Sequence, residues 1–337
     1  MGTQHRFRGL VLVSAAFVMA GMTASVYAQG KKAPDAVLTD IKNVDKGAVI
    51  RRAGGRGPQG ATAATGLAGE WQKVRLLESL YEGDQLAVEG GAEATVFAFG
   101  KEGEGKKTIK INQSTASKDK PFAIGPAQAA GTRAEKLVKA LKNASESLGR
   151  ERTEMASLST RAIAGSVQGP ILVSPRNTKI AAPNPVLEWA GEDNPPVRMM
   201  LEVDGKEVAN AQFKPGERKI EYPSGLCPLQ EGKTCIVSLK AEGMAPDQTR
   251  FTYQPLSPDD TKALQEFEAA LPPEGDVSRD VLRAVDAMDR GYYEEARTIL
   301  AKALKDHPDS SSARALLVQV YVEQSNLKMA QALEEKK

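Results

Sequence analysis

The chain has 337 residues, enough for two or three modest domains, and its 26% charged and 41% hydrophobic residues exclude global disorder and permit buried cores. Its formal net charge is +2, carried by Arg6 and Arg8 ahead of an apolar N-terminal run; without them the balance is zero. A chain with no basic excess lacks the electrostatic footprint of a nucleic-acid binder, and it offers no polybasic surface to anionic lipid.

His5, Arg6 and Arg8 form a short basic region, Leu10 to Ala20 is apolar, and Val26-Tyr27-Ala28 ends in the pattern that signal peptidase cuts. Residues 1–28 are therefore expected to be a signal peptide, cleaved between Ala28 and Gln29. An uncleaved anchor is the alternative, since no charge occurs from Gly9 to Gly30 and a span of about 20 residues would just fit. No cysteine follows the apolar run, which excludes lipidation there. Export to the oxidising periplasm of a Gram-negative envelope is the expected outcome, and cysteine usage agrees with it. Cys227 and Cys235, the only two, flank the turn-like Gln230-Glu231-Gly232-Lys233 and are expected to form a structural disulfide. Closing so short a loop contributes roughly 2–3 kcal/mol. A metal clip would need further histidine or cysteine nearby, and the spacing is not that of a redox motif.

Residues 36–125 predict a β-rich domain. Val44 to Ile50, Leu76 to Leu80, Gln85 to Val88, Ala94 to Phe99 and Thr108 to Ile111 are short runs bounded by glycine and charged turns, with a Gly/Ala/Thr-rich excursion from Ala53 to Gly69. Residues 132–163 predict an amphipathic linker helix: Ala134, Leu141, Leu148, Met155 and Ala162 recur every seven residues, with Leu137, Ala144 and Leu158 between them. Gly149 and Glu151 interrupt the stripe, which favours a helix lying on its own neighbouring domain over a dimerising coiled coil.

Strands return over 170–254. Ile171-Leu172-Val173, Val186 to Trp189, Met199 to Val203, Cys235 to Ala241 and Phe251-Thr252-Tyr253 are separated by turn signals, Asp204-Gly205 being a strong hairpin turn. Six or seven such strands suggest an immunoglobulin- or fibronectin-like β-sandwich with Trp189 in its core. From Ser257 the pattern becomes helical through residue 337: Ser257 suits an N-cap, Pro258 the first helical position, and Asp259 and Asp260 the positive end of the dipole. Pro272-Pro273 stops that helix.

The C-terminal segment repeats with a period of 34, aligning Gly291 with Ser325, Tyr293 with Leu327 and Ala296 with Ala330. Ala284, Gly291, Tyr293, Ala296, Leu300, Ala303, Leu304 and Pro308, followed by Ala313, Leu317, Tyr321 and Ala330, resemble the tetratricopeptide pattern. Small residues at Ala284, Ala296 and Ala303 would let two helices cross closely. The resemblance implies partner binding in a concave groove, shallow here because fewer than two complete units are present beyond the helix at 258–271.

Gly47-Ala48-Val49-Ile50, Trp71 to Val74, Leu80-Tyr81-Glu82-Gly83-Asp84-Gln85-Leu86 and Gly91 to Val96 resemble the periplasmic domain of iron-citrate regulator (FecR-like) proteins. In that pattern Gly83 would supply a positive φ, and Asp84 would bond nearby backbone donors. The excursion between the first two motifs is longer than the pattern, and Lys101-Glu102-Gly103 departs from it. Such regulators pair the domain with a cytosolic anti-sigma region. Only nine residues precede Leu10 here, so no direct sigma-factor contact is expected.

Catalytic constellations are not expected. After residue 28 a single histidine remains, His307, next to Pro308 at a repeat boundary, which leaves no base for a Ser-His or Cys-His pair and no histidine-rich metal site. Gly54-Gly55-Arg56-Gly57 lacks the lysine and the strand-to-helix context of a phosphate loop. A two-carboxylate glycosidase would need an aromatic-lined cleft, and only Trp71 and Trp189 offer tryptophan platforms. The sequence thus predicts a non-enzymatic protein with no cofactor and no metal. Its expected role is an envelope scaffold or adaptor that binds a protein partner. A peptidoglycan- or glycan-binding module is the first alternative; an accessory subunit of an outer-membrane assembly or secretion apparatus is the second.

Overall fold

A computed structural model describes residues 34–43, 47–52, 71–99, 107–125, 140, 141, 144, 170–190, 197–203, 206–214, 216–222, 228–242 and 246–335. The expected signal segment with its Ala28–Gln29 cut, the stretch 53–69, Cys227, the expected Asp204-Gly205 turn and most of the expected linker helix lie outside the described residues.

The first β module contains β1 (Ala36–Lys42), β2 (Ala48–Arg52), β3 (Trp71–Lys73), β4 (Ser79–Leu80), β5 (Gln85–Glu89), β6 (Glu93–Ala98), β7 (Lys107–Asn112) and β8 (Phe122–Ala123). They form two antiparallel sheets, ordered β4-β1-β6-β7 and β3-β2-β5-β8. Between the sheets lie Ala36, Leu38, Ile41, Val49, Leu80, Leu86, Val88, Val96 and Ile111. Two glycines shape this sandwich. A Cβ on Gly47 would sit 1.8 Å from the carbonyl oxygen of Glu89, so only glycine allows that approach. Gly83 has φ 87° in the turn before β5, and there the Asp84 carboxylate accepts from Tyr81 N at 2.9 Å. The expected run from Leu76 to Leu80 is shorter as a strand: Leu77 has φ 59°, and only Ser79–Leu80 pair.

β1 departs from ordinary alternation. Its register on β6 slips between Leu38 and Asp40, so Val96 faces Leu38 and the next residue, Thr95, faces Asp40. This bulge adds one residue to β1. Ala36, Leu38 and Ile41 belong to the sandwich core, whereas Val37 packs with the helices, Thr39 bonds Ser278 and Asp40 bonds Ser310. Thr39 and Asp40, neighbours in sequence, thus address the same side.

The second β module contains β9 (Ile171–Ser174), β10 (Thr178–Ile180), β11 (Val186–Ala190), β12 (Val197–Val203), β13 (Lys206–Phe213), β14 (Lys219–Glu221), β15 (Thr234–Ala241) and β16 (Asp247–Tyr253). A three-stranded sheet, β14-β11-β9, faces a five-stranded one, β10-β16-β15-β12-β13. The chain changes sheet between β9 and β10, at Pro175, and β10 runs parallel to β16. Two such facing sheets over one core make this a fibronectin-like sandwich. Trp189 fills the core, 2% exposed, with its ring 5.2 Å from that of Phe213.

Five helices follow: α1 (Pro258–Ala269), α2 (Val277–Asp289), α3 (Tyr293–Asp306), α4 (Ser311–Glu323) and α5 (Leu327–Glu334). Ser257 caps α1 by accepting from Asp260 N, with Pro258 at its start. Gly291 (φ 82°) and Ser325 (φ 56°), 34 residues apart, occupy equivalent left-handed positions in the α2–α3 and α4–α5 turns. Ala284, Ala296, Ala303, Ala313 and Ala330 are all fully buried, as close helix crossing requires. The architecture is therefore multidomain and mainly β, with a C-terminal α-helical repeat.

The helices do not keep a separate core. Val37, Leu77, Phe97 and Phe99 of the first module pack in one cluster with α2 to α5, and the helical residues Ala140, Leu141 and Ala144 join them. Leu141 and Ala144 belong to the seven-residue stripe expected over 132–163, and both pack on their own chain.

Candidate functional site

Two seams join the helical repeat to the β modules, and the polar chemistry of the described residues concentrates there.

At the first seam, β1 lies against α2 and α4. Val37, Leu77, Phe97 and Phe99 are buried there, and each such side chain contributes about 1.5–3 kcal/mol as an upper estimate. Phe97 and Phe99 stack edge to face at 5.4 Å. Polar groups set the register. The hydroxyls of Thr39 and Ser278 are 2.8 Å apart, and that of Thr39 lies 3.1 Å from the Thr95 carbonyl oxygen. Asp40 Oδ1 accepts from Ser310 Oγ at 3.0 Å and from Ser312 N at 3.1 Å. Ser310 is the N-cap of α4, its own hydroxyl accepting from Ala313 N. Asp40 thus brings a carboxylate to the positive end of α4 from 272 residues away. Thr39, Asp40, Ser278, Ser310 and Ser312 are all 0% exposed. The Ser312 hydroxyl also stands beside the carboxyl and, with the Ile41 backbone, favours its charged form. Burial pushes the Asp40 carboxyl above the ordinary carboxylate range, against the opposing bonds from Ser312 and Ser310. At the rim Lys42 pairs with Asp309 at 2.8 Å, a contact half open to water and worth little by itself.

At the second seam, residues 176–179 meet both repeat turns in order. Arg176 Nε donates to Gln324 O at 2.9 Å, and Asn177 Nδ2 to the same carbonyl at 3.1 Å. Lys179 N donates to Gly291 O at 2.9 Å. Arg176 also reaches Leu172 O and pairs with Asp247 at 2.7 Å, both partners largely shielded from water. The α3 N-cap residue, Tyr292, makes no side-chain capping bond; instead Glu294 N donates to the Thr178 hydroxyl at 3.2 Å. Tyr292 Oη donates to Gln254 O, and Arg297, gripped by Glu294, extends to Glu188. The two β modules therefore serve the N-termini of two different helices of the repeat.

Other residues singled out by sequence fall as follows. Tyr293 is half-buried, Tyr321 buried and Pro308 exposed. Val49, Leu80 and Leu86 are core residues of the first module, and Trp71 is half-buried on β3. His307 closes α3, its Nε2 at 3.1 Å from Gly275 O. Cys235 is buried, with the Tyr222 hydroxyl at 3.8 Å from its sulfur; its expected partner Cys227 is outside the described residues. Burial also raises Asp280 above the carboxylate range, opposed by Lys302 and Arg283. The seam residues Thr39, Asp40, Arg176 and Thr178 escaped the sequence reading. A polar pair inside the otherwise apolar Ala36–Ile41 run was the one available signal.

The Tetratricopeptide repeat family model matches residues 287–333, placing a repeat of the protein-interaction type at the C-terminus. No curated protein matches the chain. Among solved structures, fibronectin(III)-like modules of Clostridium thermocellum CbhA are similar at 15% identity, covering 26% of this chain and 100% of theirs with a TM-score of 0.20. A two fibronectin type-III domain segment from chicken tenascin shows 10% identity over 66% of this chain and 95% of its own, TM-score 0.19. A beta-1,2-glucanase from Parabacteroides distasonis shows 10% identity over 90% of this chain and 49% of its own, TM-score 0.21. Likeness at these scores carries no functional argument.

Proposed function

We propose that the protein is a non-catalytic scaffold or adaptor of the Gram-negative periplasm, exported by a cleaved signal peptide, that holds an envelope protein through the surfaces of its β modules and helical repeat. The observation that carries this reading is the pair of seams. They lock a repeat of the protein-interaction type and two sandwiches into one framework, which suits an element that presents surfaces at fixed spacing. A FecR-like origin of the first module fits the tied Gly83-Asp84 turn and the close approach at Gly47. Assigning no catalysis rests on the chemistry available: His307, the lone histidine of the exported chain, is engaged with a backbone carbonyl at a helix end.

Photo-crosslinking from Thr298, Lys302 and Lys305, exposed positions on α3, in the periplasm of the native host tests the proposal. A discrete cross-linked envelope protein is expected. Co-sedimentation of the purified mature chain with cell-wall sacculi, without any such protein, would replace it with the peptidoglycan reading. Catalytic turnover by the mature chain alone, or intact precursor resident in the cytosol, would overturn it.

A further inference from the structure

We infer that β13 is an interface between two copies of this chain, paired edge to edge and antiparallel about a two-fold axis at Ala211, so that their five-stranded sheets join. The inference is independent of which envelope partner the scaffold holds.

A strand at the end of a sheet presents a row of backbone N–H and C=O groups, which proteins ordinarily cover or guard with charge. The five-stranded sheet of the second module treats its two ends differently. At one end β10 lies against α3, and its Lys179 N–H is taken by Gly291 O. At the other, β13 pairs with β12 alone among the described residues. With eight residues it is the longest strand at a sheet end among them. The corresponding end of the first module, β7, holds Lys110 exposed at mid-strand, whereas β13 carries neither charge nor proline from Val208 to Phe213. Ala211 shares the face of the core residue Phe213 and is nevertheless exposed, so the margin of the strand stands open.

The sequence of β13 also fixes where a second copy fits. Hydrogen-bonded and open pairs alternate along antiparallel strands, so a two-fold axis must set one residue against its own copy. An axis at Asn210 would set Lys206 against the second copy's Lys214, two like charges. An axis at Gln212 would set position 209 against Pro215, which has no N–H for the ladder. An axis at Ala211 avoids both. It ends the pairing at Val208, already the extra residue of a bulge between Ala209 and Glu207. It sets Asn210 opposite Gln212 twice, amide against amide. Glu207 stands on the Asn210 face, accepting from Asn210 Nδ2 at 3.1 Å, and alternation puts Lys214 on that face too. The Ala211 axis therefore brings Lys214 of each copy beside Glu207 of the other, opposite charges at both rims.

Sedimentation equilibrium of the purified mature chain should show monomer and dimer exchanging with a dissociation constant of about 10–100 μM, in the weak class of small interfaces. Ala211→Lys places like charges on the axis and should weaken the dimer about tenfold. Lys214→Glu, which sets an acid beside Glu207, should weaken it about fivefold, and adding Glu207→Lys should restore the parent value. Both positions are exposed, so this exchange tests the register without touching the core. Ala211→Cys should link to its own copy under mild oxidation, with the 211–211 peptide quantified by mass spectrometry. A monomer at concentrations well above that range overturns the interface. A dimer that Ala211→Lys leaves intact overturns its place on β13. A dimer with no 211–211 link and no rescue by the charge exchange overturns the register.

Discussion

Arg176 is the most exacting test of the second seam, because one side chain there touches two carbonyls of the α4–α5 turn, β9 and β16. Replacing it with alanine deletes the bonds to Gln324 O at 2.9 Å, Leu172 O at 3.2 Å and Asp247 Oδ2 at 2.7 Å, with a longer one to Ser325 O. Some partners are partly compensated: Gln324 O keeps Asn177 Nδ2, and Asp247 Oδ2 keeps Leu172 N. The Arg176 and Asp247 side chains are 10% and 21% exposed, too shielded for the near-zero value of a surface pair. The expected loss is about 2–4 kcal/mol, between a charge-assisted bond and a broken buried pair. Arg176→Lys keeps a charge for Asp247 but loses the planar fork, and should lose about half as much. Denaturant unfolding gives the magnitude; hydrogen exchange at residues 324–327 locates it. A loss below about 0.5 kcal/mol, or unchanged exchange at that turn, would refute the account of the seam.

Ala296 is fully buried where α3 meets its neighbours, so Ala296→Leu should cost roughly 1–3 kcal/mol by overpacking; unchanged thermal unfolding of the 222 nm signal would count against close helix crossing. Both Asp40 and Asp280 have carboxyls raised by burial. Their contribution is complete below the ordinary carboxylate pKa near about 3.9 and is lost as pH rises through the raised values. Stability should therefore decline over that window. Asp40→Asn should flatten the decline, Asp280→Asn should do so less, and a parent profile flat across the window would contradict both. Thiol titration of unfolded, unreduced mature protein should find no free thiol, and reduction should lower stability by roughly 2–3 kcal/mol; two titratable thiols would remove the Cys227–Cys235 bridge.

Local chemistry was legible from the sequence wherever a few adjacent residues decide the outcome. Ser257, Pro258 and the two following aspartates start α1 because cap, ring and dipole act within one turn. The 34-residue spacing of Gly291 and Ser325 marks the two repeat turns because each needs a left-handed residue. Trp189 reads as core because β11 alternates around it. β1 was not legible: both its faces are covered, the bulge breaks its period, and Thr39 and Asp40 look solvent-facing until α2 and α4 are in place. β10 was hidden for a related reason, being three residues long and anchored by repeat turns that lie far along the chain. Secondary structure follows from neighbours, whereas both seams join residues far apart in the chain, up to 272 positions.

That separation bears on how the chain is made. During synthesis the first module is complete long before α2 and α4 exist, so Val37, Phe97 and Phe99 must wait uncovered while more than half of the polypeptide is still to come. A product truncated before residue 277 would keep that apolar face permanently open and leave Asp40 without its helix. Chaperone holdases should therefore retain such truncations while releasing the full-length chain, and the last helices to emerge would serve as the signal that assembly is finished.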